Sequence, residues 1–253
     1  MGMSFKLYQK NKKLFNCFFV FFIFVIHTNY YILLMDKLKD LILNKGVKQK
    51  FFLSFKKNFK ILELGCGIGR NAMFIKKYFN EIEYHGIDIL PEKKVDSFIN
   101  FRNVNLEESE LPYETNYFDA IIFTHVLEHL NNPLSLGNEI NRVLKNGGKI
   151  YVEAPNWSSI LVPSFGFHRE QHNPFNFYDD PTHIKPWTKH GIYEFLSDNC
   201  QLKVQKVGIV RNWIRIPLDL FIIIFGLISG NRKLIISSFW NVYGWCVFGI
   251  GQK

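Results

Sequence analysis

The stretch "FKILELGCGIGRNAMFIKKYF", Phe59 to Phe79, decides how the rest of the chain is read. Its opening, "KILEL", is a short apolar run of the kind that forms a buried strand. "GCGIG", Gly65 to Gly69, follows as a turn with glycine at every second position. Glycine accepts positive φ and lets a ligand come close to the backbone. "RNAMFIKKYF" then takes helical spacing, with Met73 or Phe74, Lys77 and Tyr78 on successive turns. Strand, glycine turn and helix make the first half of a nucleotide-binding α/β unit. The start of such a helix offers free N–H groups and a partial positive charge, suited to a carboxylate or phosphate.

Spacing narrows the ligand. The turn is G-x-G-x-G, and Arg70 stands where the dinucleotide fingerprint needs its third glycine. That argues against NAD and FAD, and no Lys-Ser/Thr pair makes it a P-loop. "EIEYHGIDIL" (81–90) is a second strand ending in Asp88, about 20 residues past the turn. A carboxylate there can accept both hydroxyls of an adenosine ribose. An ordinary βα turn with a solvated aspartate is the alternative.

Further along, "YFDAIIFT" (117–124) is a buried strand, apolar at Phe118 and from Ala120 to Phe123. "HVLEHL", His125 to Leu130, contains H-x-x-E-H, a zinc-peptidase signature. A zinc site would need a third ligand and a long host helix, and Pro133 stops any helix within a few residues. Open α/β sheets bind ligands beyond the carboxyl ends of their strands. His125 therefore faces a pocket, with Glu128 and His129 on the next turn. Leu136, Ile140, Val143 and Leu144 form one helical face, closed by "NGG". "KIYVEA" is the next strand, and Asn156 ends it near the pocket.

"ILELGCGIG", "GIDI", "LPYETNYFDAIIFTHVLEHLNNP" and "INRVLKNGGKIYVEAPN", in this order, resemble class I S-adenosylmethionine-dependent methyltransferases. The similarity is to the small-molecule type found in quinone biosynthesis and glycan clusters. It covers residues 59–156 well and 175–210 more loosely. The resemblance implies a Rossmann-like α/β fold: a seven-stranded, mostly parallel sheet, helices on both faces, the last strand antiparallel. It implies S-adenosyl-L-methionine as cofactor, with Glu63 near its amino group, often through water. Gly65 and Gly67 would lie under the methionine portion and Asp88 on the ribose. Asn105 and the Leu106 backbone would meet the adenine, and His125 the pocket wall. The family usually has Asp where Asn105 stands; Asn still accepts from the adenine amino group, so weaker binding is expected. No metal is implied at "HVLEHL".

The chemistry implied is in-line methyl transfer, in which positioning contributes most. A hydroxyl acceptor calls for a base, and His125, His129 and His183 are the candidates. His125 is favoured by its place. An amine or carbon acceptor requires none.

The region 157–190 is rich in aromatics, histidine and proline without a clear period, and reads as a long acceptor-side loop. His168 and His172 have i, i+4 spacing but no evident third ligand. "DDPTHIKPWT" offers Asp180 and His183 to the acceptor, or forms a turn held by its own hydrogen bonds. "HGIYEFLSDNC" reads as a helix, "QLKVQKVGIV" as the sixth strand and "YGWCVFGIGQK" as the final antiparallel one. Between the last two lies an apolar insertion, 213–240, densest from Leu220 to Ile228, too short to cross a bilayer. Pro217 and Asp219 interrupt it, and Arg211, Arg215, Arg232 and Lys233 flank it. An apolar patch rimmed by cations suits a membrane surface or a lipid-linked acceptor; a core cover or dimer contact is the equal alternative.

The chain has 253 residues, 47% hydrophobic, enough for one large core over residues 35–253. Residues 1–34 are an apolar N-terminal segment, read as an anchor or a misassigned start. That segment holds Lys6, Lys10, Lys12 and Lys13 and no acid, so without it the net charge falls from +9 to +5. Such a value is ordinary for a soluble enzyme, and no basic-aromatic stripe points to nucleic acid. The four cysteines form no C-x-x-C pair, which favours a reducing compartment. The expected location is cytoplasmic, free or attached to the inner face of the membrane. The expected function is methylation of a small-molecule or lipid-linked acceptor, preferably a glycan hydroxyl, with a quinone precursor second. A non-catalytic cofactor-binding scaffold or membrane-associated subunit is the alternative. The oligomeric state is not legible.

Overall fold

The computed structural model describes residues 46–253 apart from 57, 80, 92–94, 109 and 165–173. The N-terminal segment 1–34, His168 and His172 lie outside the described residues.

Seven strands form one sheet: β1 (Lys60–Leu64), β2 (Glu83–Asp88), β3 (Asn100–Asn103), β4 (Phe118–Thr124), β5 (Leu144–Pro155), β6 (Lys203–Ile209) and β7 (Cys246–Gln252). Their order is β3-β2-β1-β4-β5-β7-β6. The first five pair in parallel, and β7 runs antiparallel between β5 and β6. The expected seven-stranded, mostly parallel sheet with an antiparallel last strand is therefore present.

Both faces of the central strands are covered, which is why they read as near-continuous apolar runs. Alternate residues point to opposite sides. Leu62, Leu64, Ile121 and Phe123 pack on one face with Leu136, Ile140 and Val143 of α3 (Leu136–Val143) and Ile192 of α4 (Lys189–Glu194). Ile61, Ala120 and Ile122 pack on the other with Phe51 and Phe52 of α1 (Val47–Leu53) and Ala72 and Ile75 of α2 (Arg70–Lys76).

Three expectations change. α2 buries Ala72 and Ile75, while Met73 and Tyr78 are exposed. A two-turn helix has room for one short stripe against the sheet, and Gly69 sets its phase by starting it from a left-handed φ of 86°. α3 ends at Val143, Leu144 already belongs to β5, and "NGG" lies inside that strand. The chain end holds it there: Gly147 N–H donates to the Lys253 carbonyl and Lys253 N–H to the Gly148 carbonyl. Lastly, Pro217 and Asp219 do not interrupt the insertion, which forms α5 (Ile216–Ser229) and α6 (Arg232–Tyr243). Pro217 occupies the first turn of α5, where a missing N–H costs nothing. Asp219 is fully buried and accepts from Arg215 Nε at 2.8 Å and Asn241 Nδ2 at 2.5 Å. Among the described residues no helix is long and apolar enough to cross a membrane.

Candidate active site

The glycine turn joins the carboxyl end of β1 to α2. Gly65 and Cys66 N–H both donate to the Ile87 carbonyl, at 2.8 and 3.0 Å, and Gly69 N–H to the Cys66 carbonyl at 2.9 Å. Gly67 N–H donates to Asp88 Oδ2 at 2.8 Å. These four amides are engaged, so the turn itself offers shape, and the donors expected at the helix start fall to the first residues of α2, from Arg70 on. Its three glycines all have positive φ, yet they differ in surroundings. A Cβ on Gly65 would fall 2.1 Å from Val126 Cγ2, whereas nothing lies within 4 Å of one on Gly67. Gly67 thus lines open space beside Asp88.

Asp88, at the carboxyl end of β2, is half-buried. Its Oδ1 accepts from Leu90 N–H at 3.0 Å. Each carboxylate oxygen keeps a lone pair for a second donor, as two ribose hydroxyls require. Asn105 and Leu106 follow β3; Asn105 Oδ1 accepts from Glu107 N–H at 3.1 Å and Leu106 is buried. Glu63 sits deeper, 2% exposed, accepting from Asn71 Nδ2 and Tyr84 Oη, each at 2.6 Å. Burial pushes its carboxyl up to about 7, against the pull of those two donors. A carboxyl poised there responds to a nearby ammonium. These residues fit an adenosyl-amino-acid ligand: a glycine cradle with free volume, a paired-acceptor carboxylate and a buried acid.

The second half of the site grows from the carboxyl end of β4. His125 adopts a left-handed φ of 56°, a strained conformation for a non-glycine residue. Its N–H donates to the Glu153 carbonyl at 2.9 Å. The imidazole lies between two acids, Nδ1 3.4 Å from Glu128 and Nε2 3.3 Å from Glu153, with Cys246 Sγ 4.0 Å away. Burial works against its proton, but Cys246, Glu128 and Glu153 outweigh it and raise His125 well above the usual imidazole range. Glu153 is held down near 2: burial opposes ionisation, and Lys48, His125 and Tyr151 prevail. Carboxylates on both sides favour the protonated form of this ring and suit it to pairing with acids.

His129 and His183 come together on the far side of Glu128, ring centroids 4.8 Å apart. The turn Leu127–His129 carries the first. The second is brought across by Ile184 N–H, which donates to the Glu128 carbonyl at 2.7 Å. His183 Nδ1 donates to the Phe177 carbonyl at 2.6 Å, which leaves the lone pair of the neutral ring on Nε2. Burial lowers its pKa, against that hydrogen bond. His129 Nδ1 lies 2.9 Å from Thr182 Oγ1. Asp180 accepts from Thr182 N–H and Oγ1, so it builds the turn that carries His183.

α6 reaches His125. Trp240 lies 5.9 Å from the His125 ring, stacks on Trp245 and donates from Nε1 to the Pro174 carbonyl. The apolar insertion therefore packs beside His125. Sequence reasoning missed Asn71, Tyr84, Glu153, Cys246 and Trp240. A lone acid inside the apolar run "KIYVEA" was the available signal for Glu153; the others carry none.

Residues 36–206 match the model of a family described as a methyltransferase domain. An uncharacterised protein of Methanocaldococcus jannaschii is 33% identical over 166 residues, 64% of this chain and 68% of its own length. A demethylmenaquinone methyltransferase of Staphylococcus aureus is 30% identical over 39% of this chain, which spans 44% of that enzyme. A methyltransferase solved with the Haloferax volcanii Trm112 activator superposes with a TM-score of 0.56 at 15% identity, over 86% of this chain and 92% of that one. Family match and strand order agree: the chain belongs to the methyltransferase-domain family, as a class I S-adenosylmethionine-dependent methyltransferase.

Proposed function

We propose that the chain methylates a hydroxyl oxygen of a small-molecule or lipid-linked acceptor, a glycan or a related metabolite, close to a membrane surface. S-adenosylmethionine supplies, when bound, an activated methyl group on a sulfonium sulfur. Asp88 holds the ribose, Gly67 gives the methionine portion room, Asn105 and Leu106 meet the adenine, and Glu63 answers the ammonium. His125 fixes charge on the pocket wall. One imidazole of the pair His129 and His183 takes the proton that the acceptor oxygen loses as its bond to the methyl carbon forms. The observation that supports this reading is the pair of imidazoles, His129 from the turn after β4 and His183 brought beside it, with ring centroids 4.8 Å apart.

The membrane part rests on α5, which exposes Leu220, Phe221, Ile224, Phe225, Leu227 and Ile228. Two of the four flanking cations are engaged within the fold, Arg215 with Asp219 and Arg211 with the Tyr243 carbonyl and the Trp213 ring. Contact would depend mainly on apolar area.

Calorimetric titration with S-adenosylmethionine, followed by turnover against fractionated lipid and glycan extracts, tests the proposal. Binding that weakens at least tenfold in Asp88→Ala, with a methyl ether as product, is expected. Binding without turnover in any fraction favours the scaffold alternative, and an N- or C-methylated product removes the role given to the imidazoles.

A further inference from the structure

The Glu128 side chain is 0% exposed. Both of its carboxylate oxygens are buried, and neither has a hydrogen-bond partner among the described residues. The nearest cationic atom is His125 Nδ1 at 3.4 Å, beyond a good hydrogen bond. A buried carboxylate left this way is expensive unless something else satisfies it. Ligand atoms of Glu128, His129 and His183 all lie within 4.8 Å of one another.

We propose that Glu128, His129 and His183 form a binding site for one divalent first-row transition ion of the zinc type. One carboxylate and two imidazoles are a common donor set for such ions. Both rings are oriented from behind, as metal-bound histidines usually are. His183 Nδ1 donates to the Phe177 carbonyl, and His129 Nδ1 faces the Thr182 carbonyl and Oγ1 at 3.2 and 2.9 Å. That leaves the two Nε2 atoms for an ion. The Ile184–Glu128 backbone hydrogen bond keeps the two halves of the site in register. Closing the three donors to about 3.3 Å of one another would give tetrahedral edges around zinc. H-x-x-E-H thus supplies only its last two residues, and the third donor comes from "DDPTHIKPWT" in place of a long helix. The site does not rest on the acceptor proposed above. The ion would take the Nε2 lone pairs of both rings, so the imidazole base proposed above acts only in the ion-free chain, and in the loaded chain the ion would stand in its place.

The test is titration of the untagged, chelator-treated chain with cobalt(II) and zinc(II) salts, followed by absorbance and elemental analysis. One cobalt per chain is expected, with no sulfur-to-cobalt charge-transfer band. Glu128→Gln and His183→Gln should each weaken it at least tenfold, while His190→Ala, at an exposed position, should not. Retained S-adenosylmethionine binding verifies folding of each variant, and His183→Gln decides if Glu128→Gln is lost. No bound ion, equal affinity in the variants, or a sulfur band that moves the ion to His125, Glu153 and Cys246, overturns the site. Loss of methyl transfer in His183→Gln with no ion in the wild type overturns it too, and leaves the oxygen-acceptor reading standing.

Discussion

Gly65 and Gly67 have similar backbones, φ 72° and 53°, yet a methyl group added to each meets different things. On Gly65 it would strike Val126 at 2.1 Å, so strain and overpacking combine. Gly65→Ala should cost about 3 kcal/mol in urea unfolding. Gly67→Ala should cost about 1 kcal/mol yet weaken S-adenosylmethionine at least tenfold in calorimetry, because the methyl enters the ligand's space. Equal losses of stability would contradict that division. Glu63 gives a pH signature. Its carboxyl, raised to about 7 from 4.5, binds its proton more tightly folded than unfolded. Stability from this group is full below about 4.5 and is lost as pH rises towards 7, up to about 3 kcal/mol. Urea midpoints of Glu63→Gln should lack that fall.

α5 shows how one helix serves two masters. Its inner side is fixed by Asp219 and by Gly226, where a Cβ would lie 2.7 Å from Ile235 Cγ1 of α6. Asp219→Asn exchanges a charged acceptor for an amide facing two donors, and should destabilise by about 2 kcal/mol. The outer side is apolar and solvent-facing: Phe221 is 67% and Ile228 81% exposed. Phe221→Asp with Ile228→Asp should leave the melting temperature within about 2 °C, since exposed sites away from special features change little. The same double variant should lose sedimentation with anionic vesicles. If it pellets as wild type does, α5 is not the contact.

At the scale of the whole molecule, what could be read in advance was local and what could not was assembled from afar. "KILEL" and "FDAIIFT" announced themselves because strands covered on both sides must be apolar throughout. The place of Asp88 at the end of the second strand was legible because its distance from the glycine turn is set by one helix. The place of His125 at the carboxyl end of β4 was visible, but its acidic neighbours were not, because Glu153 and Cys246 reach it through β5 and β7. The same holds for α6. Trp240 sits at a sequence distance of 66 from Pro174, whose carbonyl takes its Nε1–H at 3.0 Å. Its ring stacks on Trp245 at 4.4 Å and 5°. One indole thereby ties the insertion, the acceptor-side loop and the residue before β7 around His125. Trp240→Ala should cost about 2–3 kcal/mol, less than a fully buried tryptophan. It should cut transfer to the active extract fraction about tenfold while S-adenosylmethionine affinity stays within about twofold, a factor of two being about 0.4 kcal/mol. Trp240→Phe keeps the stacking, loses only the Nε1 donor and should cost about 1 kcal/mol. Cofactor affinity falling in step with transfer would mean that Trp240 belongs to the cofactor half of the pocket.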